Sequence, residues 1–266
     1  MTARRIALLI LAGLVPVVCL SAAASCRTSG SCGSIVTGSD SWWPTVLWPS
    51  LLVASLATIA WSIRLGISAS RLSNKLAALP RAHIPGKLAR SATAAGVDRI
   101  ACIRGSSPIA FCAGFLRPTI FVSQGAVALL SEQELLAVLS HEADHARQRE
   151  PMRRAAHTAA ADVLIFLPIV RWWSQRQIER CELAADEAAE RSVGREALAG
   201  ALLVMTAPAH SMAAFGGHAE MRAGRLLGHQ IEYGWPSRAV WAATLVYAWL
   251  AFSLAGCLLE AAVALT

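Results

Sequence analysis

Three stretches of this chain, residues 6–25, 44–63 and 239–259, contain no charged residue at all. A helix needs about 20 apolar residues to cross a hydrocarbon core of about 30 Å, and in lipid only a helix or a closed barrel satisfies its own backbone. Stretches of this length therefore admit few architectures. The composition agrees: 15% of the residues are charged and 55% hydrophobic, where a soluble domain carries about 25% charged residues. The expectation is a mainly α integral membrane protein with three transmembrane helices. Arg4 and Arg5 before the first stretch, with Ala22, Ala23 and Ala24 near its end, also fit a cleavable signal peptide, a rival reading for that span alone.

Basic residues set the orientation, because they stay on the cytoplasmic side. Arg4 and Arg5 place the N-terminus inside. Arg64, Arg71, Lys75, Arg81, Lys87 and Arg90 follow the second stretch, and Asp98 is the first acid after them. The expected organisation is an N-terminal transmembrane hairpin over 1–65, a cytoplasmic domain over 66–207, a glycine-rich connector over 208–237 and a C-terminal transmembrane helix over 238–266. That is a multi-pass protein of the cytoplasmic (inner) membrane. The net charge of +7 is read as lipid-facing, so the bilayer is an expected partner. No basic stripe with interleaved aromatics is present, so no direct nucleic-acid binding is expected. A channel or transporter is disfavoured, since the spans contain no charge except the terminal Glu260 and ion paths are marked by ionisable groups.

The seven cysteines form no CxxC pair, which removes zinc-ribbon chemistry. Cys26 and Cys32 fall in the outside loop, where a disulfide can persist. Cys102, Cys112 and Cys181 lie inside.

Within the inside portion, 99–103, 109–112 and 119–123 are β-branched or aromatic and bounded by Gly, Ser and Pro, which predicts a small antiparallel sheet. Ser131 with Glu134, and Ser174 with Gln177, are capping boxes. They predict helices over about 132–149 and 175–191, with Gly194 as a stop. Between them, 155–170 is apolar apart from His157 and Asp162. A gap this short cannot cross a membrane twice, so it is expected to dip into the bilayer or pack on the spans, and His157 and Asp162 to make local polar contacts.

The first of these helices carries His141-Glu142-Ala143-Asp144-His145. Histidines at i and i+4 share one helix face and can hold one metal ion. A carboxylate next to the first histidine can then take a proton from the metal's water, whose pKa zinc lowers to near 7. A catalytic zinc takes three protein ligands and leaves a fourth position open. Glu182 on the second helix is the expected third ligand, with Glu179 as its rival, and Asp186 one turn on can accept an N–H from a ligating histidine. The expected cofactor is one Zn2+ per chain.

Phe111-Cys112-Ala113-Gly114, Leu116-Arg117-Pro118, residues 123–130, the 134–145 helix and Glu182 through Asp186 together resemble the membrane zinc peptidases of the β-lactam sensor-transducer type. More distantly the chain is similar to the heat-shock and prenyl-protein membrane peptidases that share HExxH and ExxxD. The resemblance implies a cytoplasmic α+β zincin (gluzincin-like) domain, with His141, His145 and Glu182 as ligands, Glu142 as base and Asp186 behind a ligand. It implies a substrate strand at Ile109, Ala110, Phe111, Cys112, Ala113 and Gly114, where an extended peptide adds by main-chain pairing. The substrate would be a cytoplasmic or membrane-associated regulatory protein such as a transcriptional repressor. Three departures stand out. Glu150 occupies a position where the family has Asp, and Leu167-Pro168 one where it often has Asn-Pro; neither is expected to touch a ligand. No sensor domain follows the last span, so β-lactam sensing is not expected. His210, His218, His229, Arg222 and Tyr233 are the candidates for stabilising the oxyanion. The alternative function is a non-enzymatic membrane signalling or scaffold protein with a structural zinc site, which Glu142 argues against.

Overall fold

The computed structural model describes residues 43–206, 222, 224–225 and 234–264. The first apolar stretch, Cys26, Cys32, His210, His218, His229 and Tyr233 lie outside the described residues. What is described is mostly helical with a small sheet, in two compact units. One unit takes the described parts of 1–66, 159–171 and 236–266, and the other takes 67–158 with 172–235.

Two described helices are long and apolar enough to cross a membrane, α1 (Trp43–Ala77) over Ser50–Ala77 and the C-terminal helix (Arg238–Ala264) over Arg238–Ala255. Their apolar side chains stand exposed on the protein instead of filling a core: Leu56 is 58% and Leu245 67% exposed. A helix apolar around its circumference needs an apolar surrounding of some kind. In the same unit, Arg64 pairs with Asp162 at 2.7 Å, and the Ile169 N–H donates to Thr244 Oγ1 at 3.2 Å. Asp162 thus has the local polar contact expected of it.

The stretch expected as one helix over 155–170 is two. After β1 (Arg81–Ala82), α2 (Gly86–Ala94), β2 (Ile100–Ile103), β3 (Ala110–Ala113), β4 (Thr119–Ser123), α3 (Gln124–Leu129) and α4 (Glu132–Arg147), the chain forms α5 (Glu150–Val163), turns at 164–167 and enters α6 (Pro168–Val193). Proline fits a helix best in its first turn, where its missing N–H costs nothing, and Pro168 opens α6 in that position. Ser174 is therefore a buried residue inside α6 and not its cap. His157 packs edge-on against Trp173 at 4.6 Å between ring centroids. Gly194, with φ of +88°, ends α6, and α7 (Arg195–Thr206) follows; the C-terminal helix is α8.

The four-stranded sheet has the order β1-β2-β4-β3. It is mixed, not antiparallel as expected: β2 and β4 run parallel, Ile100 opposite Ile120, whereas β3 is antiparallel to β4, Ala110 opposite Val122. The cause is topological. The β3–β4 hairpin folds back so that its second strand, β4, slots beside β2 and leaves β3 at the edge. The two-residue β1 was not legible from the sequence.

One sheet face and α2, α4 and α7 enclose a core of Leu88, Ile120, Val122, Leu130, Leu135, Leu139, Leu198 and Met205. Each such side chain contributes about 1.5–3 kcal/mol by leaving water. The Ser131–Glu134 capping box forms, each side chain accepting from the other residue's backbone N–H. Lys87 donates to the Val127 and Leu130 carbonyls at the end of α3. The result is an α4 buried along one side, which carries His141, Glu142 and His145 to the interior.

Candidate metal centre

His141 and His145 stand one turn apart on α4, with their rings edge to face at 4.6 Å and their Nε2 atoms 3.0 Å apart. Each outer nitrogen meets a carboxylate: His141 Nδ1 lies 2.9 Å from Asp186, and His145 Nδ1 lies against Glu150. A carboxylate at Nδ1 holds the proton there, which leaves both Nε2 lone pairs aimed at one point. Glu182, one turn before Asp186 on α6, brings Oε2 to 3.7 Å from His141 Nε2. The donor atoms of His141, His145 and Glu182 all lie within 4.8 Å of one another, the one such metal-competent group among the described residues. Glu179 instead pairs with Arg176 at 2.8 Å.

The local chain explains how Glu150 arrives. Helix α4 stops after Arg147, and Arg149 takes the left-handed φ of +52° that reverses direction. Glu150 then opens α5, with Pro151 in its first turn. The carboxylate is thereby carried back to the ring one turn before the end of α4. Arg154, one turn further along α5, donates Nη2 to Glu150 Oε1 at 2.9 Å and to Glu182 Oε1 at 2.6 Å. On the other side, Arg222 grips Asp186 with Nε at 2.7 Å and Nη2 at 2.5 Å. Both histidines are therefore backed by a carboxylate, and both carboxylates by a guanidinium.

The cluster holds four carboxyl groups, Glu142, Glu150, Glu182 and Asp186, against two guanidiniums, Arg154 and Arg222. With all four ionised and both imidazoles neutral, as a metal requires, four minus two leaves an excess of two negative charges in a poorly solvated place. Unpaired buried charge is costly, and a divalent cation removes the excess. The spacing fits as well: two donors on one tetrahedral zinc stand about 3.3 Å apart for bonds near 2.0–2.1 Å, and the observed 3.0 and 3.7 Å bracket that value. Two imidazole nitrogens and one carboxylate oxygen form a donor set typical of catalytic zinc.

The titration behaviour expresses the same geometry. Burial pushes the His141 pKa down, but the Asp186 and Glu182 carboxylates outweigh burial and raise it to about 9. Burial also opposes ionisation of Glu182, yet His141, His145 and Arg154 hold its pKa far below the usual carboxylate range. Asp186 is held low against burial by His141 and Arg222, and Glu150 by His145 and Arg154. Cys112 on β3 goes the other way: burial, then Glu142 and Glu150, push its thiol up to about 12. It remains a neutral thiol at neutral pH and competes poorly as a ligand.

A small pocket opens beside the cluster. Its apolar wall is Val138, Leu198, Ala201, Leu202 and Met205, and its polar end is His141, Glu142 and Arg222. The β3 edge of the sheet carries Ala110 to Ala113, preceded by Ile109, which bonds through its backbone to Ser123, and followed by Gly114 at φ of +112°. Among the described residues no strand pairs with the outer side of β3.

Sequence reasoning missed the roles of two members of this cluster, Glu150 and Arg154. Glu150 was expected to touch no ligand; it touches His145, and the signal was the Glu-Pro helix start five residues past that histidine. Arg154 had its signal in the i,i+4 spacing from Glu150. Arg222, an oxyanion candidate from the sequence, is committed to Asp186, with Nη2 3.5 Å from His141 Nδ1.

Searches of the curated proteins and of the solved structures each found no match. Residues 81–205, which contain the sheet, both histidines, Glu142 and Glu182, match the family model of peptidase family M48, a family of zinc metallopeptidases, and the chain is an enzyme of that class.

Proposed function

We propose that the chain is a membrane-embedded zinc endopeptidase, with His141, His145 and Glu182 as the metal ligands and Glu142 as the general base. The observation that carries this reading is the convergence of three donors within 4.8 Å, with the buried Glu142 lining the same pocket as His141. Only three donors gather among the described residues, which supports an open, catalytic site over a closed structural one. Zinc held there supplies Lewis acidity and makes water a nucleophile at neutral pH.

The chain's own residues do the rest. Glu142 takes the proton of the attacking water and returns it to the leaving amine. Asp186 and Glu150 fix the two imidazoles in one tautomer. The substrate's backbone adds to the open edge of β3, at Ile109 to Gly114, as an extra strand. The apolar wall of the pocket takes an uncharged side chain next to the scissile bond.

The substrate we infer is a cytoplasmic or membrane-associated regulatory protein, a repressor among the candidates, with the site facing the cytoplasm and the bilayer anchoring the chain. The exposed apolar faces of α1 and α8 and the resemblance to membrane sensor-transducers support this part. The test is cleavage of a broad peptide pool by zinc-loaded, detergent-purified protein beside Glu142→Gln. Glu142-dependent cleavage within peptides is expected; no such cleavage sinks the reading.

A further inference from the structure

Arg154 ties two of the three donors together. One nitrogen, Nη2, has two N–H groups, and its two acceptors are Glu182 Oε1 at 2.6 Å and Glu150 Oε1 at 2.9 Å. Glu150 passes that restraint to His145. With Oε1 of Glu182 held by Arg154, Oε2 is the oxygen left toward His141 Nε2 at 3.7 Å. On the other flank, Arg222 sits 3.8 Å from Glu182 Oε2, beyond a hydrogen bond. The hydrogen-bonded restraint on Glu182 is thus Arg154's. Its arrival needs no tertiary search: α5 places it one turn after Glu150, already paired.

We propose that Arg154 is a positioning residue of the metal centre, holding Glu182 to a single-oxygen mode and Glu150 upright behind His145. The inference rests on the reading that His145 and Glu182 hold the ion. Without the guanidinium, two neighbouring carboxylates lose their shared counter-charge and repel, and Glu182 is free to swing. Loss of a partner behind a metal ligand typically weakens metal affinity by about 10–100-fold. A lysine keeps the charge but reaches one bond less far, so it restores only part of the effect.

The experiment compares the full-length protein in detergent with Arg154→Gln, Arg154→Lys and Glu182→Gln. The readouts are zinc affinity by chelator competition, the visible spectrum of the cobalt(II)-loaded protein, and helix content of the metal-free form. We expect Arg154→Gln to bind zinc about 10–100-fold more weakly, with an altered cobalt spectrum and unchanged helix content, and Arg154→Lys to fall between it and the wild type. Wild-type affinity and spectrum in Arg154→Gln overturn the proposal. Should that variant not fold, Arg154→Lys decides: weakened binding with a shifted spectrum supports the role, and wild-type values overturn it. Glu182→Gln separates the two levels. If it keeps its zinc, the ligand assignment itself falls; if it loses zinc while Arg154→Gln binds normally, only the role of Arg154 falls.

Discussion

The carboxylate of Glu150 rests against Nδ1 of His145, the ring nitrogen that points away from His141. A carboxylate in that place favours the proton on Nδ1 of His145 and leaves Nε2 for a metal. Its counterpart is Asp186 on His141 Nδ1 at 2.9 Å. Two histidines held this way are pre-oriented before any ion arrives, so binding costs little reorganisation.

The ligand assignment predicts metal content. Wild-type protein should carry about one zinc per chain, and His141→Ala and Glu182→Gln should each lose most of it. Plasma emission on purified protein checks this. Retention of zinc by Glu182→Gln would mean that another donor replaces it.

Glu142 is assigned to proton transfer and not to the metal. Glu142→Gln should keep its zinc and lose about 10²–10⁴-fold in peptide hydrolysis. Parallel metal analysis and peptidase assay read the two effects separately. A variant that loses both together would make Glu142 a ligand.

Removing the metal should change how stability depends on pH. His141 has a folded pKa of about 9 against an ordinary 6.5. Its protonated form therefore stabilises the metal-free fold fully below pH 6.5, and that contribution fades as pH rises through 9. The 2.5-unit shift corresponds to an effect on the order of 3 kcal/mol. Asp186, Glu150 and Glu182 are shifted down, so their contribution is present above the ordinary carboxylate range and is lost as pH falls below about 4. Chelator-treated protein should be most stable near pH 5–6, and zinc should preserve stability up to pH 9 because it takes the proton's place. Denaturant unfolding followed by circular dichroism across this range tests the prediction; equal loss with and without zinc above pH 7 contradicts it.

The turn that delivers β4 into α3 is tight at Gly125, where a Cβ would run into the Ser106 backbone carbonyl. The Gly125 N–H also donates to the Gly105 carbonyl at 2.8 Å. Gly125→Ala should destabilise by about 1–3 kcal/mol through forced backbone movement. Leu139→Ala, in the fully buried core beneath α4, should cost about 2–5 kcal/mol. Thermal melts of both variants measure this, with Leu116, which is 70% exposed, as the neutral control.

A metal-site motif, the Ser131 cap and the long apolar stretches were all legible in the sequence, because each is local. HExxH works through a helix repeat of 3.6 residues; a capping box spans four residues; an apolar run needs no partner to be seen. Glu182 and Asp186 were legible for the same reason, as one face of one helix. What the chain hid was decided by reversals of direction. The β3–β4 hairpin inserted β4 beside β2 and turned an expected antiparallel sheet into a mixed one. The left-handed Arg149 swung Glu150 onto His145, and Pro168 split one expected helix in two. Arg222 reached Asp186 from 36 residues away. Local propensity reports which elements form, but which side chains meet depends on the few backbone angles between elements, and only packing selects those.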